Sequence, residues 1–213
     1  MKIVKSERIL DDVNDGLYDA LLVPMSIYNS MNSGFVYDVG INFKHVREEE
    51  KNTPYGDRRK YGTIYIISGK TDYVMCYIHN GGYNKDDDGS FISYDNLRRC
   101  LTLVNDRYKG KKIASVIMGS DKSDGNGDKE KILKIFEEIC TDIDLTLYDY
   151  EQTDTQLETF HKIAELREKR KNKTITSEEY IHLRSKLEWE RRNGRFIPMP
   201  EGYRYKPKGK KIG

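Results

Sequence analysis

The sequence of 213 residues lacks most features of membrane, secreted and metal-binding proteins. No apolar run approaches the roughly 20 residues that a bilayer-spanning helix requires, and Met1–Lys5 leads into a strand-like segment rather than a secretory signal. Only three cysteines and four histidines are present, and no cysteine has a His or Cys at metal-ligand spacing. We therefore expect a soluble, cytoplasmic protein that neither spans a membrane nor holds a metal or cofactor.

The three cysteines, Cys76, Cys100 and Cys140, are widely spaced and each falls in an apolar run. This pattern is typical of buried thiols in a reducing compartment rather than of a disulfide framework. Core packing is the expected role of all three.

Charge is distributed unevenly, although the formal net charge is only +2. Residues 161–213 contain sixteen Lys and Arg and seven Asp and Glu. The preceding 160 residues contain twenty-one Lys and Arg and twenty-eight Asp and Glu. An acidic domain therefore carries a basic tail. The length fits one domain of roughly 150 residues with an appendage of about 50.

Short β-branched and aromatic runs alternate with stretches of helical period. The predicted strands are Lys2–Val4, Ala20–Val23, Thr63–Ile67, Tyr73–Ile78, Ile113–Met118 and Leu145–Tyr148. The predicted helices are Ser93–Tyr108, Asp128–Cys140 and, with a weaker pattern, Val36–Glu50. Such alternation indicates an α/β domain whose mixed sheet is covered by helices on both faces.

Two loops rich in small residues follow predicted strands, where ligands bind in such sheets. One spans Pro24–Phe35 and contains Asn32, Ser33, Gly34 and Phe35; the other contains Gly119, Ser120, Gly125, Asn126 and Gly127. Glycine lets backbone N–H groups approach a phosphate closely, and a helix N-terminus favours the negative charge. An ordinary polar turn would show the same residues, so a phosphate site and a turn both remain open. The same holds for His79, as a pocket residue or a structural one.

Residues 1–150 resemble macro domains in the order and spacing of these elements. Ile3–Ile9 is similar to that family's opening strand and turn, Asp19–Val23 to its next strand, and Met31–Val36 to its glycine-rich loop. The segment from Ser93 to Tyr150 resembles the branch that removes ADP-ribose from acidic side chains. The resemblance implies a three-layer α/β/α domain with a mixed sheet that binds ADP-ribose or a related nucleotide.

The resemblance also implies roles for individual residues. Glu7 stands where the family's acid recognises the adenine amino group, and Asp124 where an aspartate of the second loop assists catalysis. Ser68 occupies the nearest equivalent of the attacking lysine, with Lys70 two residues further on, and Pro24-Met25 replaces an asparagine. We take Asp124 and Lys70 as candidate catalytic residues, for hydrolysis of an ADP-ribose ester or a terminal phosphate. Binding without turnover remains the alternative.

Residues 151–194 are predicted to form a helical hairpin that turns through Lys169–Thr174. Its apolar stripes are Leu157–Phe160–Ile163 and Tyr180–Leu183–Leu187, Thr176 and Glu179 form a capping box, and Asn193-Gly194 is a stop signal. Two helices of this length cannot bury enough apolar surface alone, so self-association into a homo-oligomer is expected. Residues 195–213 are predicted to be an extended basic tail, which leaves nucleic-acid binding as a third functional alternative.

Overall fold

The computed structural model describes residues 1–6, 8–32, 34–79, 89–120, 125–149, 155–194 and 196–204, with the backbone alone for residues 155–161. The chain divides into two compact units, Met1–Glu151 and Gln152–Gly213. Within the described residues, none of the helices has the length and apolar character needed to cross a membrane.

The described residues of the first unit form six strands and five α-helices. The strands are β1 (Lys2–Val4), β2 (Ala20–Met25), β3 (Ile64–Ile67), β4 (Asp72–Tyr77), β5 (Lys112–Val116) and β6 (Asp144–Tyr148). The helices are α1 (Ile9–Asn14), α2 (Gly34–Asn42), α3 (Lys44–Lys51), α4 (Tyr94–Arg107) and α5 (Lys129–Ile139). A short 3-10 helix, Arg58–Lys60, precedes β3. All six predicted strands are present, within one to two residues of their predicted ends.

The strands form one mixed sheet in the order β1-β6-β5-β2-β4-β3. All neighbours are parallel except β3 and β4, which pair antiparallel. All six residues of β2 are buried. Because successive side chains of a strand point to opposite faces, helices must cover both faces of the sheet. The predicted three-layer α/β/α architecture is therefore confirmed.

Local signals explain where the two longest helices of this unit begin. The Ser93 side chain accepts a hydrogen bond from the Asn96 N–H at 3.2 Å and caps α4, and the Asp128 side chain accepts one from the Lys131 N–H at 3.1 Å and caps α5. Each cap satisfies an N–H group that has no partner within its helix. The apolar faces of these helices are buried: Leu97, Cys100, Leu101 and Val104 in α4, and Ile132, Ile135 and Phe136 in α5.

Two helices differ from the prediction. The single helix expected over Val36–Glu50 is divided into α2 and α3 at Phe43, whose backbone leaves the helical region at φ −122° and ψ 74°. The ring of Phe43 packs on that of Tyr73, with 5.0 Å between their centroids. Helix α1 is not predicted by the sequence analysis, because its six residues are too few for a periodic pattern. All three cysteines are buried with free thiols, as predicted.

The second unit is the predicted helical hairpin, formed by α6 (Thr155–Lys171) and α7 (Ser177–Asn193). Helix α6 continues through Lys171, so the turn begins later than predicted. Thr176 and Glu179 form the predicted capping box, with bonds of 3.1 and 2.7 Å. The hydrogen bond from the Thr176 backbone lowers the pKa of Glu179.

The apolar stripes of the hairpin are buried only in part. Ile163 and Tyr180 are buried, whereas Leu183 is 39% exposed, and nothing is described of the side chains of Leu157 and Phe160. Helix α7 ends at Gly194, which has φ +87°. Beyond it, residues 196–204 contain no helix or strand, but they fold against α7. The Trp189 indole donates a hydrogen bond to the Ile197 carbonyl at 2.9 Å and packs edge-on to Tyr203.

Candidate functional site

Two loops leave the sheet side by side at its carboxyl edge. Strands β2 and β5 are parallel neighbours although they are not consecutive in the chain. The loop after Met25 and the loop after Val116 therefore emerge from the same edge of adjacent strands. In open α/β sheets a ligand binds at such a point, so the topology brings together the two segments that the sequence analysis selected.

In the first loop, Asn32 and Phe35 have structural partners. The Asn32 side-chain oxygen accepts a hydrogen bond from the Arg47 guanidinium at 3.2 Å, and the same guanidinium group donates to the Met31 carbonyl at 3.3 Å. Phe35 is buried in the core. Gly34 begins α2 with φ +65°, a conformation that favours glycine. Ser33, the remaining predicted ligand contact of this loop, lies outside the described residues.

The glycines of the second loop pack against Ile92. A Cβ atom added at Gly119 would lie 2.6 Å from the Ile92 Cγ2, and one added at Gly127 would lie 2.8 Å from its Cδ1. A Cβ added at Gly125 would also collide with the Ile92 Cγ2. These glycines are predicted from the sequence to contact phosphate, but close packing against Ile92 already requires them.

Several backbone N–H groups of the second loop are used internally. Ser120 donates to the Ile117 carbonyl at 3.2 Å and Gly127 to the Gly119 carbonyl at 2.8 Å. The Asp128 N–H donates to the Tyr94 hydroxyl at 2.9 Å. Within the described part of the chain, the N–H groups of Gly125 and Asn126 have no hydrogen-bond acceptor. These two donors lie shortly before the N-terminus of α5, and of the two residues Gly125 is buried and Asn126 is exposed.

A buried polar cluster that the sequence analysis missed lies at the same edge. It comprises Asn29, Glu50, Thr53, Lys60 and Tyr77, and we call it the Lys60 cluster. The Lys60 ammonium donates to the Asn29 Oδ1 at 2.5 Å and to the Thr53 Oγ1 at 2.8 Å, and lies 3.5 Å from the Glu50 carboxylate. The Tyr77 hydroxyl donates to the same carboxylate at 3.0 Å. Tyr77 ends β4 and pairs with Met25, which places the cluster beside the first loop.

Burial dominates the electrostatics of this cluster. Glu50 is 1% exposed and Lys60 is 8% exposed. Desolvation raises the pKa of Glu50, and the Lys60 ammonium opposes that shift. Desolvation likewise lowers the pKa of Lys60, opposed by Glu50, and raises the pKa of Tyr77. In the sequence Glu50 ends a run of glutamates and Lys60 follows two arginines, so neither residue carried a signal of burial.

His79 also lies at the carboxyl edge, directly after β4. Its N–H donates to the Met25 carbonyl at 3.4 Å, and the residue forms an isolated antiparallel bridge with Ile92. His79 therefore links the end of β4 to the residue on which the second loop packs. This placement is compatible with both alternatives, a pocket residue and a structural one.

The structure does not bring Lys70 to this edge. Lys70 lies in the turn between β3 and β4, beside Gly16, where a Cβ atom would be 2.9 Å from the Lys70 Nζ. Asp72 pairs with Ala20 at the amino end of β2, five residues from Met25, which corresponds to about 17 Å along a strand. Ser68 lies in the same turn. A catalytic role of Lys70 together with the second loop is therefore unsupported, and Asp124 and Glu7 lie outside the described residues.

No group of three or more metal-ligating side chains occurs among the residues that the structure describes. The chemistry of the described edge is therefore that of backbone N–H groups, a helix N-terminus and a buried ion pair. Such an arrangement can bind an anion.

Comparison with known proteins identifies the fold. Neither the protein-family models nor the curated proteins include a match to the sequence. The structure is similar to the macrodomain of Thermus aquaticus DarG, with a TM-score of 0.52 and 9% identity over 70% of this chain and 97% of that one. It is also similar to Thermosipho africanus DarTG in complex with ADP-ribose, with a TM-score of 0.52 and 14% identity over 73% of this chain and 43% of that one.

A third similar structure is a Bacteroides thetaiotaomicron protein of unknown function, with a TM-score of 0.52 and 18% identity. The similarity extends over 69% of this chain and 96% of the Bacteroides protein. At these identities the likeness establishes a macrodomain fold, as the sequence resemblance implied.

Proposed function

We propose that the first unit binds ADP-ribose or a related nucleotide at the carboxyl edge of its sheet. The observation that carries this proposal is the adjacency of the loops after β2 and β5, with the N-terminus of α5 directly behind the second loop. The similar macrodomain structure of Thermosipho africanus DarTG holds ADP-ribose, which supports this choice of ligand over other anions.

The diphosphate is the part of the ligand that this edge suits best. The N–H groups of Gly125 and Asn126 precede α5, and the helix dipole favours negative charge at that end. Gly34 starts α2 with φ +65° and, as a glycine, places no side chain at the N-terminus of that helix. Glu7 remains our candidate for contact with the adenine amino group, from the sequence resemblance alone.

We propose binding and do not extend the proposal to hydrolysis. The hydrolytic scheme combines Asp124 with a lysine at the same edge, and Lys70 lies at the opposite end of the sheet. Lys60, a buried lysine at the carboxyl edge, has its ammonium group engaged by protein acceptors. Neither of these two described lysines is therefore placed to act as a nucleophile at this edge, which supports a proposal of binding without turnover.

Calorimetric titration of the full chain with ADP-ribose tests the proposal. We expect one site per chain with micromolar affinity, which corresponds to about −8 kcal/mol. Gly34→Leu should abolish this binding, because a side chain at the start of α2 would occupy the ligand's space. Gly110→Leu is the matched control, since Gly110 also has a positive φ but no atom near its Cβ position. Absence of binding to ADP-ribose and to a panel of related nucleotides would contradict the proposal.

We also propose that the hairpin mediates self-association. Ile181 and Leu183 of α7 are 40% and 39% exposed, and Leu183 borders a groove of about 400 Å³ that Ile175 and His182 also line. Exposed apolar side chains next to a groove are typical of a protein interface. Binding of nucleic acid by the basic tail stays an alternative that no described contact favours.

A further inference from the structure

We propose that the Lys60 cluster is a positioning device, which holds the first ligand loop in its binding conformation through the side chain of Asn29. The inference rests on the proposed function, because it assigns to that loop a role in nucleotide binding. Lys60 and Glu50 are therefore positioning residues rather than ligand contacts.

Asn29 occupies the middle of the loop and has an unusual backbone conformation. Its φ is +52°, in the left-handed region that asparagine tolerates better than most residues but that glycine favours. Both ends of its side chain are engaged: Nδ2 donates to the Thr53 carbonyl at 2.7 Å, and Oδ1 accepts from Lys60. The strained residue is thus held by the segment that follows α3.

The Lys60 ammonium has three N–H donors, and protein acceptors surround it. Besides Asn29 and Thr53 it has the Pro54 carbonyl at 3.3 Å and the Glu50 carboxylate at 3.5 Å. Its charge also lies 4.2 Å from the centroid of the Tyr77 ring. A lysine engaged in this way is not available to a ligand, so its effect on binding must pass through the groups that it holds.

The contacts of the Lys60 cluster form a continuous chain that links the start of the first loop to its middle. Glu50 accepts from the hydroxyl of Tyr77, which ends β4 and pairs with Met25, the residue from which the loop departs. Lys60 joins Glu50 to Asn29, four residues further along that loop. In addition, the Gly56 N–H donates a hydrogen bond to the Ile27 carbonyl of the loop at 2.9 Å. The loop is therefore attached both at its origin and at its middle.

The energetics of buried ion pairs favour positioning over stability as the role of this pair. Replacing such a pair with apolar residues is often neutral or stabilising, because desolvation of the charges offsets their attraction. Burial shifts the pKa values of both partners toward their neutral forms, so burying the pair has an electrostatic cost. Fixing a loop that contains a positive-φ asparagine is a role that does not require the pair to stabilise the fold.

The test combines Asn29→Gly, Lys60→Met and the double variant, each as the full chain. Glycine preserves the positive φ and removes only the side-chain links. We expect Asn29→Gly and Lys60→Met each to weaken ADP-ribose binding by about tenfold or more, as for loss of a hydrogen bond to a charged group. The double variant should bind no more weakly than the weaker single variant, because both changes break the same link.

Amide hydrogen exchange provides a readout that needs no ligand. The Gly56 amide, which donates to the Ile27 carbonyl of the loop at 2.9 Å, reports on the loop. Its protection should fall in both single variants, while protection of β2, β4 and β5 is retained. The control is Asp72→Asn, which weakens the 2.9 Å bond from the Tyr108 hydroxyl at the amino end of β4. It should change neither loop exchange nor affinity.

The two readouts separate failure of this inference from failure of the proposed function. If exchange of the Gly56 amide in Asn29→Gly and Lys60→Met matches that in Asp72→Asn, the Lys60 cluster does not position the loop. Additive losses of affinity in the double variant would also overturn the inference. If neither the wild-type chain nor any variant binds ADP-ribose, the proposed function is wrong. Amide exchange then still shows whether the Lys60 cluster holds the loop in place.

Discussion

Substitution of Gly119 by alanine tests the finding that the second loop is shaped by packing on Ile92. Gly119 has φ +80°, and a Cβ atom there would lie 2.6 Å from the Ile92 Cγ2 and 2.9 Å from its Cδ1. Ile92 is fully buried, so its side chain has little room to withdraw. Two separate costs therefore act on the variant, one from the backbone and one from packing.

The magnitudes follow from these two costs. An alanine in the left-handed region costs about 1–2 kcal/mol, and inserting a methyl group into a filled core costs about 1–3 kcal/mol. Gly119→Ala should therefore destabilise the first unit by about 2–5 kcal/mol. Gly110→Ala isolates the first cost, because Gly110 has φ +73° with no atom within 4 Å of its Cβ position. It should cost about 1–2 kcal/mol.

A double-mutant cycle with Ile92→Ala measures the second cost directly. Ile92→Ala removes both atoms that crowd the new methyl group, although the variant alone should lose about 2–5 kcal/mol because of the cavity. The double variant should be less destabilised than the sum of the single variants, by about 1–3 kcal/mol. Urea denaturation followed by far-UV circular dichroism measures these values, and fluorescence of the single Trp189 reports on the hairpin separately.

The reasoning is refuted if Gly119→Ala and Gly110→Ala lose equal stability. Strict additivity with Ile92→Ala would refute it as well. Either result would mean that the second loop can move away from Ile92 without loss of folding stability. Its glycines would then not be required for packing on Ile92.

Three further predictions concern the ion pair, the hairpin cap and the hairpin surface. Because burial raises the pKa of Glu50 above its unfolded value, the folded state binds the proton more tightly, and the stability from this group is lost as pH rises through the folded pKa. The stability of the wild-type chain relative to Glu50→Gln should therefore fall as the pH rises above the ordinary pKa range of a glutamate; a difference that rises with pH would contradict this. Thr176→Ala should cost the hairpin about 1 kcal/mol through loss of its N-cap, measured by Trp189 fluorescence, whereas an unchanged midpoint would show that the capping box is not stabilising. Replacing Ile181 and Leu183 together by glutamate should leave helicity unchanged and convert the chain to a monomer in sedimentation velocity, and a wild-type chain already monomeric at high concentration would rule out the hairpin interface.

The sequence predicts the architecture of the first unit well because each element has a local signal. The Ser93 and Asp128 caps and the buried periodicity of α4 and α5 depend on neighbours within a few residues. The division of α2 from α3 depends instead on Phe43 reaching Tyr73, a contact between residues distant in the chain. The spacing of apolar residues within α2 and α3 does not predict that contact.

The candidate site is predicted less completely than the fold. Both loops were predicted because they are rich in small residues and follow predicted strands, whereas their adjacency comes from the order of the strands in the sheet. The glycines of the second loop serve packing on Ile92. The Lys60 cluster was missed because burial of Glu50 and Lys60 arises from tertiary structure, and charged runs are normally solvated. Lys70 was selected from the resemblance, because it lies two residues after Ser68, the nearest equivalent of the family's lysine. The resemblance gave no information on the end of the sheet at which this turn lies.

Amide chemical shifts in NMR, followed during titration with ADP-ribose, report both whether the ligand binds and where it binds. We expect saturable shifts for residues 26–36 and 117–128, at the carboxyl edge of the sheet. Amides of Gly69 and Lys70, at the opposite edge, should be unaffected. Saturable shifts centred on the β3–β4 turn, or none at ADP-ribose concentrations well above the micromolar range, would contradict it.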